Sequence, residues 1–214
     1  MMKANREICL TAVRAADGGA RLLLSFRLTS ELGDEETQLS LFSARLPRLP
    51  HPGPVSEDDY QYYQQEALLC EAMGRGLRLL SFGGCSRRTL VQKLCRRGVS
   101  PELSRLAAEE LCAGGYLSES ENALREAERG LDKLWGDRRI LADLAAKGYG
   151  EEVFPAVRER LSREPGETRC VRLLRKKRFP LPRTREEAEK LFQKLSRYGY
   201  GRREIGQALA DLEN

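Results

Sequence analysis

The chain has 214 residues, 41% hydrophobic and 32% charged, enough to bury a core while keeping much solvated surface. No stretch approaches the roughly 18 uncharged apolar residues of a membrane span, and Met1 to Arg6 has no apolar leader region, so a soluble cytoplasmic protein is expected. Six cysteines include no C-x-x-C pair and read as buried thiols, and the single histidine, His51, sits between two prolines; disulfide frameworks, His triads and His-rich metal clusters are disfavoured.

The first sixty residues differ from the rest. Ile8 to Val13 and Arg21 to Leu28 are short, apolar and partly β-branched, with Asp17, Gly18 and Gly19 between them, which predicts a hairpin; Gln38 to Phe42 adds a third short strand. Pro47, Pro50, Pro52 and Pro54 then fall within eight residues and predict a stiff extended linker.

Beyond the linker the pattern is helical. Ser56 with Asp59 resembles a capping box, opening a long helix toward Leu80 with Tyr63, Ala67, Cys70 and Leu77 near one stripe, which Gly74 and Gly76 are expected to bend or break. Further helix starts are marked by Ser86, by Ser100 with Pro101, by Ser118 with Glu121, by Asp137, and by Thr184 with Glu187.

Three segments align without gaps: Leu90 to Val99, Ile140 to Tyr149 and Leu191 to Tyr200. Their glycines, Gly98, Gly148 and Gly199, are 50 and 51 residues apart, the spacing of an array of supersecondary units. Apolar residues stand eight and four positions before each glycine on one helical face, and the glycine suits the left-handed stop of a helix. A second helix follows each stop, with stripes Leu103-Ala107-Leu111, Val153-Val157-Leu161 and Ile205-Ala208-Leu212. The fold expected is mainly α: three tandem three-helix repeats in an elongated curved array with a small N-terminal β-hairpin element. The boundaries read 1–55 for the β element and linker, then 56–117, 118–166 and 167–214 for the repeats.

No Walker-type or dinucleotide glycine motif is present, and the paired carboxylates Glu109-Glu110 and Glu151-Glu152 suit helix exteriors and first turns better than acid–base chemistry. No catalytic residue, metal or cofactor is expected. Trp135 reads as an anchor between units. Net charge by segment is −2 for 1–60, +2 for 61–119, −1 for 120–166 and +6 for 167–214, so the C-terminal quarter suits an acidic partner. Cations lie on or beside the short helix that ends at the glycine of every copy: Arg87, Arg88, Lys93, Arg96 and Arg97; Arg138, Arg139 and Lys147; Lys194, Arg197, Arg202 and Arg203. Together they form a candidate discontinuous basic track that reads a backbone or an acidic groove rather than bases. The cluster Arg175 to Arg178 divides evenly between stabilising a helix end and binding.

Leu79-Leu80, Ser86-Arg87-Arg88-Thr89-Leu90, Lys93-Leu94, Arg97-Gly98-Val99, Gly115-Tyr116-Leu117, Gly136-x-Arg138-Arg139-Ile140 and Lys147-Gly148 together resemble the RecX family, regulators of the RecA recombinase, over roughly residues 60 to 214. The resemblance implies a monomeric, non-enzymatic modulator that lodges in the groove of the RecA–DNA filament and restrains it, with weak DNA binding of its own and no membrane partner. The competing reading is a helix-turn-helix DNA-binding regulator. For that reading only the third copy, with Arg202, Arg203 and Gln207, offers a recognition helix not dominated by acid.

Overall fold

The computed structural model describes residues 6–31 and 33–213. Met1 to Asn5, read above as lacking a leader, lie outside them. The chain divides into two compact units, one running to Leu79 together with Lys93–Leu111, the other comprising Leu80–Gln92 and the chain from Cys112 onward.

The first unit begins with the antiparallel strands Glu7–Ala16 (β1), Arg21–Ser30 (β2) and Gly33–Phe42 (β3), joined by the two-residue Gly53–Pro54 (β4) in the order β3-β2-β1-β4. The predicted hairpin is there, longer than expected, turning through Asp17, Gly18 and Gly19, all at positive φ. Period-two alternation sends Ile8 and Leu10, then Leu22, Leu24, Phe26 and Leu28, into one core, where Tyr60 and Cys70 of the first helix meet them. Phe26 and Tyr60 pack edge to face at 5.0 Å. Thr11 makes a bulge in β1 and donates its hydroxyl to the Ser25 carbonyl at 3.0 Å. The proline-rich segment is more than a linker: Pro54 faces Cys9 and Gly53 faces Leu10, at the sheet edge where a missing donor is tolerated.

Helix α1, Glu57–Ser81, starts at the predicted box, with the Ser56 hydroxyl accepting from the Asp59 N–H at 3.1 Å. It runs unbroken through Gly74 and Gly76, contrary to the expected break. A Cβ on Gly76 would lie 2.5 Å from Leu111 Cδ1, so this glycine serves close packing of two helices and not a bend. Arg45 ties the same region together, reaching Glu66 at 2.7 Å and Glu110 at 2.6 Å; these carboxylates push its guanidinium pKa further up.

The other helices are α2 (Arg87–Cys95), α3 (Pro101–Ala113), α4 (Glu119–Asp132), α5 (Asp137–Ala146), α6 (Phe154–Ser162), α7 (Gly166–Lys177), α8 (Arg185–Arg197) and α9 (Arg202–Glu213). The hydroxyls of Ser86, Ser100, Ser118 and Thr184 each accept the N–H three residues on, as their sequence predicts. The helix that follows Gly148 opens as a 3-10 turn, Glu151–Val153, because Pro155 allows the α-helix only from about its own position.

In the second unit α4, α5 and α6 close around Ala123, Ala127, Ile140, Leu144, Val157 and Leu161. Helices α7, α8 and α9 close around Cys170, Leu173, Leu191, Leu195, Ile205 and Ala208. Each such leucine, isoleucine or valine contributes about 1.5–3 kcal/mol of burial, offset by the entropy of ordering the chain. Leu134 enters the second of these cores while its neighbour Trp135 packs on the first, so the end of α4 stitches them together.

Candidate binding surface

The three aligned segments end in one geometry. Gly98, Gly148 and Gly199 have φ of 83°, 80° and 96°. The next residue donates its N–H to the carbonyl five positions back: Val99 to Leu94 at 3.2 Å, Tyr149 to Leu144 at 3.2 Å and Tyr200 to Leu195 at 3.3 Å. This is the Schellman stop that the glycine spacing predicts. The apolar residues one turn apart before it, Leu90 and Leu94, Ile140 and Leu144, Leu191 and Leu195, are all buried.

Within the second unit these stops act as sockets. The start of α2 sits on the stop of α5: the Ser86 and Thr89 hydroxyls donate to the Lys147 carbonyl at 2.6 and 2.8 Å, and Arg88 lies across Gly148. The start of α5 sits on the stop of α8 in the same way. There the donor to the Tyr198 carbonyl is the Gly136 N–H, at 2.8 Å. Gly136 and Gly199 approach so closely that a Cβ on Gly199 would fall 2.5 Å from the backbone nitrogen of Arg139. In the aligned segments Ser86 matches Gly136 and Lys147 matches Tyr198, so one junction is built twice with different donors.

These junctions sort the twelve candidate cations. Arg139 is held fast: its guanidinium lies 4.1 Å from the Trp135 ring and 5.7 Å from the Tyr198 ring and donates to the Arg197 carbonyl at 3.1 Å. Lys147 is gripped by Glu126 at 2.6 Å and Asp143 at 2.7 Å, and these bonds outweigh burial and raise its pKa. Arg87 pairs with Glu119 through backbone and side chain. Lys194 stands over Phe179 at 5.0 Å and Arg202 over Phe192 at 4.7 Å. Arg88, Lys93, Arg96, Arg97, Arg138, Arg197 and Arg203 make no side-chain hydrogen bond or ion pair among the described residues, and all but the half-buried Lys93 are exposed. Lys93, Arg96 and Arg97 belong to the first unit and the other nine to the second. Gln207 donates to Asp211 at 2.9 Å.

Sequence reading misses the deepest cation. Arg169 is fully buried, its guanidinium bonded to the Asp137 carboxylate and to the Trp135 carbonyl. It clamps the first turn of α5 from α7, and its partners lie 32 and 34 positions away, beyond any local pattern. Tyr200, just after the stop of α8, donates its hydroxyl to the Leu134 carbonyl at 2.8 Å in the connection between α4 and α5.

No group of three or more His, Cys, Asp or Glu side chains placed to hold a metal occurs among the described residues. Cys70, Cys85 and Cys170 are buried and Cys95 and Cys112 half-buried, while Cys9, on the open face of β1, departs from the buried-thiol reading and is exposed. Burial pushes the Cys170 thiol up to about 12, which leaves it protonated and a poor nucleophile.

No known family profile matches the sequence. The regulatory protein RecX of Halorhodospira halophila is 32% identical over 136 residues, 63% of this chain and 83% of that relative. The regulatory protein RecX of Caldanaerobacter subterraneus subsp. tengcongensis is 25% identical over 146 residues, 68% of this chain and 71% of that one. A crystal structure of regulatory protein RecX shares the fold, with a TM-score of 0.70 at 16% identity, covering 94% of this chain and 98% of that one. With more than four fifths of the Halorhodospira protein matched at nearly one residue in three, the chain belongs to the RecX family of regulatory proteins.

Proposed function

We propose that this protein is a regulator of the RecA recombinase that binds the RecA–DNA filament along its groove and restrains it, acting by binding as a monomer and without a catalytic step. The helical copies proposed are 56–117, 118–166 and 167–214. The observation that carries the reading is the pairing of a repeated junction with unpartnered cations. Arg88 and Arg138, equivalent in the aligned segments, are both exposed and unpaired, so the same positive group recurs at the same place in two copies. A filament presents phosphates and acidic side chains at a regular spacing, and several individually weak contacts then add through effective concentration.

The test is RecA ATP hydrolysis on single-stranded DNA, with and without this protein, next to its binding to DNA alone. Suppressed hydrolysis is expected, relieved about tenfold or more in required concentration by the double variant Arg88→Glu, Arg138→Glu, with circular dichroism confirming that the helices are retained since Arg88 also packs on Gly148. Hydrolysis indifferent to the protein rules the reading out. Tight binding to bare duplex with base preference turns it toward a DNA-binding regulator.

A further inference from the structure

Between the connection that follows α7 and the exposed side of α8 lies an open trough of about 800 Å³. Its apolar lining is Phe179, Pro180, Leu181, Pro182 and Leu191, and its charged lining is Arg183, Lys190 and Lys194 with the single acid Glu187. Leu181 is 42% exposed, an aliphatic side chain left in water between two prolines. The one acid is occupied, since Glu187 accepts the Arg183 backbone N–H at 2.8 Å as part of the α8 cap. Among the described residues Lys190 pairs with Glu186 alone, at 2.6 Å and with both side chains largely in solvent, a pairing that water and salt screen. The trough is therefore apolar inside and net positive at its edges. Arg175, Lys176, Lys177 and Arg178, all exposed, run directly into it.

This lining selects among anionic ligands. Single-stranded nucleic acid needs free ring faces on which bases stack, and the trough's one ring, Phe179, already carries the Lys194 ammonium at 5.0 Å. The rest of its apolar surface is aliphatic. A peptide added as an extended strand needs backbone donors, and Pro180 and Pro182 remove two of them at alternate positions. What remains is recognition through side chains: aliphatic groups on one face, carboxylates flanking them.

We infer that this trough docks an acidic amphipathic helix of a partner protein, its aliphatic face on Leu181 and the two prolines, its carboxylates on Arg183, Lys190 and Lys194. The inference stands whether or not RecA is the regulated enzyme. The basic run at the end of α7 then serves encounter, raising the association rate in a manner that falls with salt, while Leu181 sets how long the helix stays.

The full-length protein is titrated into a fluorescein-labelled peptide with Leu at i, i+3, i+4 and i+7 and Glu at most other positions, and binding is followed by anisotropy. Saturable binding is expected, weakened about tenfold by Leu181→Asp and again by Lys190→Glu with Lys194→Glu, and at least about tenfold tighter than binding of a polyglutamate peptide of equal length. Far-ultraviolet circular dichroism checks each variant, and Leu181→Ser replaces Leu181→Asp if the latter loses helix. Absence of saturable binding overturns the inference, as does equal affinity for polyglutamate, which reduces the site to bulk charge. Displacement of the peptide by oligothymidylate with a Leu181-dependent affinity assigns the trough to nucleic acid instead. Concentration-dependent dimerisation abolished by Leu181→Asp assigns it to a second copy of this chain; either result also overturns it.

Discussion

At Gly148 two demands meet on one residue. Its φ of 80° lies where an L side chain is strained, and a Cβ there would stand 2.7 Å from Cδ of Arg88. Gly18 in the hairpin turn, at φ 65°, has the first demand without the second, since nothing lies within 4 Å of its missing Cβ. Gly148→Val is therefore expected to cost about 2 kcal/mol or more, because the branched side chain must also displace Arg88 from the junction, and Gly18→Ala about 1 kcal/mol. Urea denaturation midpoints in the opposite order would refute the junction as the source of the constraint. The glycine's identity was legible from its place eight residues after a buried leucine or isoleucine. That it is a socket for Arg88 was not, because the contact joins residues 60 apart.

At the scale of elements, what was legible is what local chemistry decides. Hydroxyl caps, glycine stops and period-two strands are set by residues within one turn of each other, and they fall where the pattern puts them. What was hidden is set at long range. Gly74 and Gly76 looked like breaks because glycine is a poor helix former, but α1 continues through both, and at Gly76 the close approach of Leu111 uses the missing Cβ. β4 escaped notice because two residues with a proline become a strand only through their partner, β1. The basic candidates were legible as charges, whereas their freedom was not: nothing near Arg139 in sequence except Trp135 announces that rings and a distant carbonyl immobilise it.

The stop after α5 also has a chemical signature. Tyr149 is buried, and desolvation first, then the carboxylates Glu126 and Glu119, push its phenol from the ordinary 10 up to about 12. The folded state thus holds a proton that the unfolded chain releases near pH 10. Stability from this group is fully present below about pH 10 and is lost as pH rises toward about 12. The chemical-denaturation midpoint should fall over that window, and Tyr149→Phe should flatten the fall while leaving the contribution of Tyr200, whose phenol is likewise raised by burial. A slope unaltered by Tyr149→Phe would show that this phenol is not sealed from water.

For the molecule as a whole the charge ledger matters more than any single cation. There are 37 Lys and Arg against 32 Asp and Glu, and several of the ion pairs, such as Arg75 with Glu71, Arg125 with Glu121, Arg163 with Glu159 and Lys190 with Glu186, are exposed on both sides and contribute little to stability. If filament binding draws on phosphates, each cation that meets one releases counterion, and the logarithm of affinity falls linearly with the logarithm of salt. The slope is about −0.7 per contact on a single strand and about −0.9 on B-form duplex. Arg88→Ala with Arg138→Ala then removes two contacts and should make the slope shallower by about 1.4 to 1.8 units. Arg203→Ala added to the pair should shift it by one further step of about the same size per contact. The measurement is binding to RecA–DNA filaments held by a non-hydrolysable nucleotide across a salt series. Affinity lost with an unchanged slope would mean that these arginines meet protein carboxylates rather than phosphates, because pairing with a carboxylate displaces no condensed counterion from the nucleic acid.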